Sequence, residues 1–316
     1  MDSVAQTRSL GVPEHGTRGR GARVRRRPGA GTAYAFLLPW IIGFIALTAG
    51  PALFSLYLSL TQFDLMGAPR FIGMDNYVRI ASGDPKFWIA LRVTFTYVAI
   101  GVPLKLGFAL LVALLLNKGL RGLSIYRAIF YLPSLLGGSV AIAVLWRKIF
   151  DGDGLFNGFL GLFGMHGIAW ISDPDTALYT LVLLSVWQFG SPMIIFLAGL
   201  RQIPASLYEA ANIDGARPVR QFFSITLPLL TPVLFFNAVI QVIDAFKAFT
   251  PAFIISNGTG GPINATLFYT LYLFQQAFTY FRMGYAAALA WVLVAIIGAL
   301  TAATFLSSRY WVHYES

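Results

Sequence analysis

The stretch "YEAANIDGARPV", residues 208–219, sets Glu209, Asp214 and Arg217 close together between long apolar runs. The surrounding loop, 201–230, carries local instructions for two short helices. Ser206 and Glu209 stand at capping-box spacing: the hydroxyl can accept from the N3 amide while the carboxylate reaches back to the Ser206 amide. Glu209, Ala210 and Ala211 favour helix. Asp214-Gly215 reads as a stop, with Gly215 free to adopt the left-handed conformation beyond a helix end. Pro218 suits the first turn of a second helix, which Val219 to Ile225 can continue until Leu227-Pro228. The expected product is a bent helix–turn–helix standing off the apolar runs. Ala210 and Ala211 leave room for close approach of another surface. Leu207, Tyr208, Ile213, Phe222 and Phe223 supply apolar anchors.

The runs on either side define the class. Of 316 residues, 57% are hydrophobic and 11% charged, against about 25% charged in a soluble domain. The composition is that of a membrane protein. The chain has no cysteine, which excludes disulfides and cysteine-based metal or redox chemistry. Its formal charge of +10 is concentrated in Arg8, Arg18, Arg20, Arg23, Arg25, Arg26 and Arg27, ahead of the first apolar run. A basic block in that position sets membrane topology or touches anionic lipid; no nucleic-acid partner is expected.

A helix needs about 20 apolar residues to cross the hydrocarbon core. Six segments qualify: 33–60, 93–116, 128–146, 177–200, 231–255 and 284–308. The first is too long for a signal-peptide core and reads as an uncleaved anchor. Pro39, Pro51, Pro103 and Pro232 suggest kinks. Trp40, Trp88, Trp146 and Trp311 lie near span ends, as an interfacial belt requires. The arginine tail places the N-terminus in the cytoplasm, and six spans return the C-terminus there. Loops 117–127 and 201–230 are then cytoplasmic, and 61–92, 147–176 and 256–283 lie outside. The segment 264–283 is ambiguous: its aromatic, partly polar sequence also suits an amphipathic helix on the outer surface. The expected architecture is all-α and polytopic: a cytoplasmic tail (1–32), a six-helix membrane domain (33–310) and a short cytoplasmic C-terminal tail (311–316).

Taken together, Glu209-Ala210-Ala211, three residues, Gly215, nine residues, Ile225, one residue and Leu227-Pro228 reproduce the full EAA signature. On this signature the chain resembles the membrane subunits of binding-protein-dependent ABC importers. "FIGMDNYVRI" (71–80), "DPKFWIAL" (84–91), "YRAIFYLPSLL" (126–136), "GGP" (260–262) and "MGYAAALA" (283–290) resemble the carbohydrate-uptake branch, near the maltose-type, multiple-sugar and glycerol-phosphate permeases. The resemblance spans roughly residues 33–310. It implies a type I importer permease fold in a bacterial cytoplasmic (inner) membrane. It also implies that the hairpin, with Glu209, Ala210, Ala211, Asp214, Gly215, Ile225, Leu227 and Pro228, is the coupling helix seated in an ATPase subunit. The implied partners are a second, different permease, two ATP-binding subunits, an extracytoplasmic solute-binding protein and a sugar. The implied mechanism is alternating access.

The rival class, an integral membrane transferase, finds little support. His15, His166 and His313 lie in tails or loops without metal-ligand spacing. No GxxxxGK[ST] phosphate loop is present, so ATP hydrolysis belongs to a separate subunit, and neither metal nor cofactor is expected. Asp151 and Asp153 imitate a metal-binding DxD but read as turn residues of "DGDG". Asn257 and Asn264 match the N-x-[ST] pattern only weakly.

Polar residues inside spans usually face the bundle interior or a wet cavity. Gln241, Asp244 and Lys247 share one side of span 5. Ser185, Gln188 and Ser191 repeat that spacing on span 4, with Trp187 alongside. Aromatic faces beside amides and hydroxyls suit sugars; the alternative role is hydrogen bonding that holds the bundle together. In the maltose-type relatives the sugar site lies on these same two spans, but Ala245 and Ala248 replace polar residues there, so individual contacts do not carry over. Lys105, midway along span 2, has no visible partner in the sequence. It can snorkel to an interface, meet a carboxylate of the second permease, or face an anionic substrate such as a uronate saccharide or sugar phosphate. A neutral oligosaccharide is the leading expectation.

Overall fold

The computed structural model describes residues 30–119, 122–165 and 167–312, with side chains from residue 36. Most of the arginine tail, Arg121, all three histidines and the last four residues lie outside the described residues. Residues up to Ala52 belong to one compact unit and those from Leu53 onward to another.

In the first unit, α1 (Ala30–Phe44) passes through a π-helical turn (Ile45–Ala49) into α2 (Gly50–Ser59). The Gly50 amide reaches back to the Ile45 carbonyl. This wider turn precedes Pro51, whose ring cannot fit a regular helical turn without displacing a carbonyl. Trp40 and Phe44, one turn apart, stack at 5.5 Å.

The second unit opens with the part of α2 from Leu53 onward and continues into a small antiparallel hairpin, β1 (Thr61–Gln62) and β2 (Arg70–Phe71), with Thr61 opposite Phe71. After α3 (Asp75–Val78) and a π-turn (Arg79–Gly83) comes α4 (Pro85–Leu116). This helix starts eight residues before the expected span, because Asp84 caps it: one carboxylate oxygen accepts from the Lys86 amide at 3.1 Å and the Phe87 amide at 3.2 Å. Pro85 supplies the first helical residue.

The chain continues through α5 (Leu123–Leu136), α6 (Val140–Ile149), α7 (Leu155–Gly161), α8 (Ala177–Trp187), α9 (Gly190–Leu200), α10 (Ala205–Ile213) and α11 (Pro218–Gln221). After a π-turn (Phe222–Thr226) come α12 (Leu227–Phe246), α13 (Thr250–Ile255) and α14 (Tyr269–Phe274). A π-turn (Gln275–Thr279) leads on to α15 (Met283–Trp311).

Among the described residues, four helical stretches are long and apolar enough to cross a membrane: Phe36–Ser59, Pro85–Leu116, Pro218–Ile255 and Met283–Trp311. Two more spans arise if each bent pair counts as one: α5 with α6, bent by 97°, and α8 with α9, bent by 42°. Four of the six expected spans are recovered as single helices and the other two coincide with the bent pairs, and the breaks are not at the expected prolines. Helices α4 and α12 run on through Pro103 and Pro232. The sharp breaks fall at Gly137-Gly138-Ser139 and at Gln188-Phe189. The ambiguous segment 264–283 has two faces: residues 266–269, 271, 272, 276 and 277 are buried and residues 278–282 are exposed. Tyr269, Leu271 and Tyr272 of α14 are buried, and the helix packs against α4 and α15. The Tyr269 amide donates to the Thr94 hydroxyl at 2.8 Å, and its own hydroxyl donates to the Leu289 carbonyl at 2.7 Å.

Helix α4 is the hub of the second unit, packed against α8, α9, α12 and α14. Its buried positions, including Ala90, Thr94, Val98, Gly101, Val102, Ala109 and Ala113, recur at helical spacing. Several are small. Within a membrane, close backbone approach is what drives helix association, because lipid tails remove the hydrophobic driving force.

Candidate functional site

The broken pairs cross at their breaks. A helix interrupted inside a membrane leaves amides and carbonyls that lipid cannot satisfy. Here each break satisfies the other. Ser134 Oγ donates to the Gln188 carbonyl at 2.9 Å and accepts from the Ser191 amide at 3.0 Å. The Gln188 side-chain amide donates to the Gly137 carbonyl at 3.1 Å. Glycines allow the contact. A Cβ on Gly190 would stand 2.4 Å from the Phe130 carbonyl oxygen, and one on Gly137 would lie 2.1 Å from Gln188 Cδ.

Beside this crossing lies a cavity of about 400 Å³ bounded by α4, α5, α8, α9, α12 and α13. Of the seven residues expected to face a pathway, five line it: Ser185, Gln188, Ser191, Gln241 and Asp244. Trp187 does not; its ring packs 5.9 Å from that of Trp146. Lys247 does not line it either, but its ammonium lies 3.1 Å from the Asp244 carboxylate. Tyr97, Ser134, Phe249 and Thr250 complete the polar and aromatic lining. Ser134 was not expected; the Pro133 and Gly137-Gly138 around it in an apolar run were the available signal.

Lys105 also lines the cavity. Asp244 lines the same cavity, and its carboxylate is ion-paired with Lys247. Lys105, Asp244 and Lys247 together carry one net positive charge.

The hairpin forms largely as its local rules dictate. Helix α10 ends at Asp214, and Gly215 has φ +72°. The Ala216 amide reaches the Ala211 carbonyl at 2.9 Å, the bond that closes a Schellman motif. Pro218 opens α11. Gln221 Nε2 ties the turn by donating to Asn212 Oδ1 at 2.7 Å and to the Ala216 carbonyl at 2.9 Å.

Two expectations fail. Helix α10 starts at Ala205 behind Pro204, with no side-chain cap, so Ser206 is already inside the helix and the capping box does not form. The second helix does not stop at Leu227-Pro228. The Leu227 amide bonds to the Phe222 carbonyl, five residues back, and this π-turn carries α11 into α12 across the proline. The hairpin is therefore continuous with span 5. Glu209, Ala210, Asp214 and Gly215 are exposed, while Ala211, Ile225, Leu227 and Pro228 are half-buried. Of the apolar anchors, Ile213 and Phe223 face out, at 87% and 61% exposure. Tyr208 turns back, its hydroxyl 2.9 Å from that of Thr226.

The Asp84 carboxylate makes a second polar cluster. Its other oxygen accepts from the hydroxyls of Tyr272 and Tyr285. Partial burial pushes the carboxyl up, but the two hydroxyls and the Phe87 and Lys86 amides outweigh it and hold the group below its usual value.

Fold and site define a multi-pass helical membrane protein built around a polar cavity, with an exposed helical hairpin on one of its spans. The family model for the binding-protein-dependent transport system inner membrane component matches residues 93–312, and the chain belongs to that family. It is 57% identical over 284 residues to the probable ABC transporter permease protein YesP of Bacillus subtilis, covering 90% of this chain and 92% of that one. It is 34% identical over 282 residues to the lactose transport system permease protein LacF of Rhizobium radiobacter, covering 87% and 93%. Its fold is similar to that of a bacterial alginate ABC transporter solved in complex with an alginate pentasaccharide-bound periplasmic protein. The TM-score is 0.76 at 21% identity, covering 88% of this chain and 94% of that one. The chain is an ABC transporter permease with the type I importer fold, an inner-membrane component of a binding-protein-dependent transport system. It is not an enzyme; ATP hydrolysis occurs in separate subunits.

Proposed function

We propose that this permease imports a saccharide through the cavity between its broken helices and couples that movement to ATP through the EAA hairpin. The observation that carries this reading is the helical continuity, through a π-turn, of the exposed hairpin with α12, which contributes Gln241 and Asp244 to the cavity. A displacement of the hairpin by an ATPase subunit is transmitted along one helix to the cavity wall. In the assembly, a second and different permease completes the pathway and two ATPase subunits each seat one coupling helix. Both termini and the hairpin face the cytoplasm. The relatives named for lactose, arabinooligosaccharides and trehalose/maltose support an oligosaccharide as substrate. Hydroxyls, amides and the aromatic faces of Tyr97 and Phe249 suit sugar edges and C–H faces.

A second reading of the substrate, an acidic saccharide, is favoured by Lys105. An ammonium inside a span is costly, and here it lines the cavity and leaves one net positive charge beside it. Reconstituting the permease with its partner permease, ATPase and binding protein tests both readings. ATP-dependent uptake of labelled neutral or uronate-containing oligosaccharides is expected. A complex that hydrolyses ATP but moves neither overturns the carbohydrate assignment.

A further inference from the structure

Asn237 is fully buried in α12, and neither its side-chain oxygen nor its nitrogen has a hydrogen-bond partner. A buried amide left unpaired destabilises the packing that holds it, and its retention calls for a reason beyond packing. Its position is defined from both sides. One turn toward the hairpin, Val233 packs so tightly on α9 that a Cβ on Gly199 would stand 2.8 Å from Val233 Cγ2. One turn the other way, Gln241 lines the cavity together with Ile195 of α9. Asn237 therefore lies on the α12 face packed against α9, about 6 Å along the axis from Gln241. Asn237, Gln241 and Asp244 form one polar stripe at i, i+4 and i+7. Two of its members face the cavity, and the third is sealed between the cavity and the hairpin end of the bundle.

We propose that Asn237 is a second saccharide-binding position, a hydrogen-bonding subsite covered in this conformation and uncovered when α12 parts from α9. An amide offers both donor and acceptor, matching a sugar hydroxyl, which needs both. Placed beyond the cavity on the hairpin side, it meets the substrate after Gln241 and Asp244 have released it. The polar stripe then continues to solvate the sugar where Val233, Leu230 and Gly199 would otherwise present only apolar surface.

The subsite rests on the cavity being the pathway, so the test includes a cavity variant. In the reconstituted complex, Asn237→Leu, Asn237→Ser and Gln241→Leu are compared with the wild type for ATP-driven uptake of neutral and uronate trisaccharides and for thermal melting. Asn237→Leu is expected to raise the melting temperature, since it removes two unpaired buried atoms, and yet to lower the maximal uptake rate about tenfold, the effect of one withdrawn hydrogen bond to a polar ligand. Asn237→Ser, a hydroxyl that still donates and accepts, recovers part of the rate and serves as the readout should the leucine variant not assemble. Higher melting with unchanged uptake in Asn237→Leu, or uptake in Asn237→Ser no better than in Asn237→Leu, overturns the subsite. If Gln241→Leu also leaves uptake unchanged, the pathway reading itself fails; if only Gln241→Leu slows uptake, the pathway stands and Asn237 is structural.

Discussion

The side-chain amide of Gln188 donates to the carbonyl of Gly137, 51 residues earlier, joining the break between α8 and α9 to the break between α5 and α6. The two interruptions are thus one feature, and each supplies the partners that the surrounding lipid cannot. Ser134 completes it with two further bonds. Ser134→Ala should destabilise the assembled complex by about 1–3 kcal/mol, because the half-buried Gln188 carbonyl and Ser191 amide lose their partner. Thermal melting in detergent reads this directly, and unchanged melting would show that the crossing holds without the hydroxyl.

The glycines of the crossing are not equivalent. At Gly190 the obstacle to a Cβ is backbone, the Phe130 carbonyl and Tyr131 Cα; at Gly137 it is the flexible Gln188 side chain. Gly190→Ala should therefore cost about 1–3 kcal/mol of overpacking, more than Gly137→Ala, which a Gln188 rotamer change relieves in part. The same melting experiment ranks them, and the reverse order would contradict the packing described.

Asp84 sets a pH dependence. Its carboxyl is held below the ordinary 3.8 in the fold, so the unfolded chain binds the proton more readily. The stabilisation is complete well above 3.8 and is lost as pH falls through the lowered folded value. Melting temperature measured from about pH 7 down to about pH 3 should fall more steeply for the wild type than for Asp84→Asn. Parallel curves would remove Asp84 as the titrating group.

The hairpin makes a separate prediction. Gly215 sits at φ +72°, where a β-branched residue is strained by about 1–2 kcal/mol. Gly215→Val should re-aim α10 and uncouple ATP hydrolysis from uptake while the protein still reaches the membrane, and Glu209→Lys on the same exposed helix should act likewise. Normal uptake at normal expression in both variants would remove the hairpin from coupling.

Because the chain lacks cysteine, single cysteines report topology without background. A cysteine replacing the exposed Arg217 should be protected from an impermeant thiol reagent added to intact cells and labelled after permeabilisation. Labelling in intact cells would invert the orientation. The cavity charges are tested by Lys105→Gln with Lys247→Gln: selective loss of acidic-saccharide uptake identifies an anionic substrate, and unchanged uptake assigns the lysines to structure.

Sequence alone determined what depends on neighbours along the chain. Apolar run length located the four long apolar helices and the two bent pairs. The Gly215 bend and the Pro218 helix start followed from conformational preferences of single residues, and Gln241 with Asp244 shared a face because helical periodicity requires it. Tertiary structure decided whatever depends on distant partners. The start of α4 at Pro85 follows from the local Asp84-Pro85 pair, an N-cap before a first-turn proline, but two further groups holding Asp84 are hydroxyls 188 and 201 residues away. Spans 3 and 4 break at Gly137 and Gln188 rather than at the interior prolines, because a membrane helix opens only where another element can take up the freed backbone groups. The same rule separates Trp187, turned against Trp146, from the cavity residues beside it. Tertiary packing also leaves Asn237, legible in sequence only as one more polar residue, fully buried with its amide unpaired.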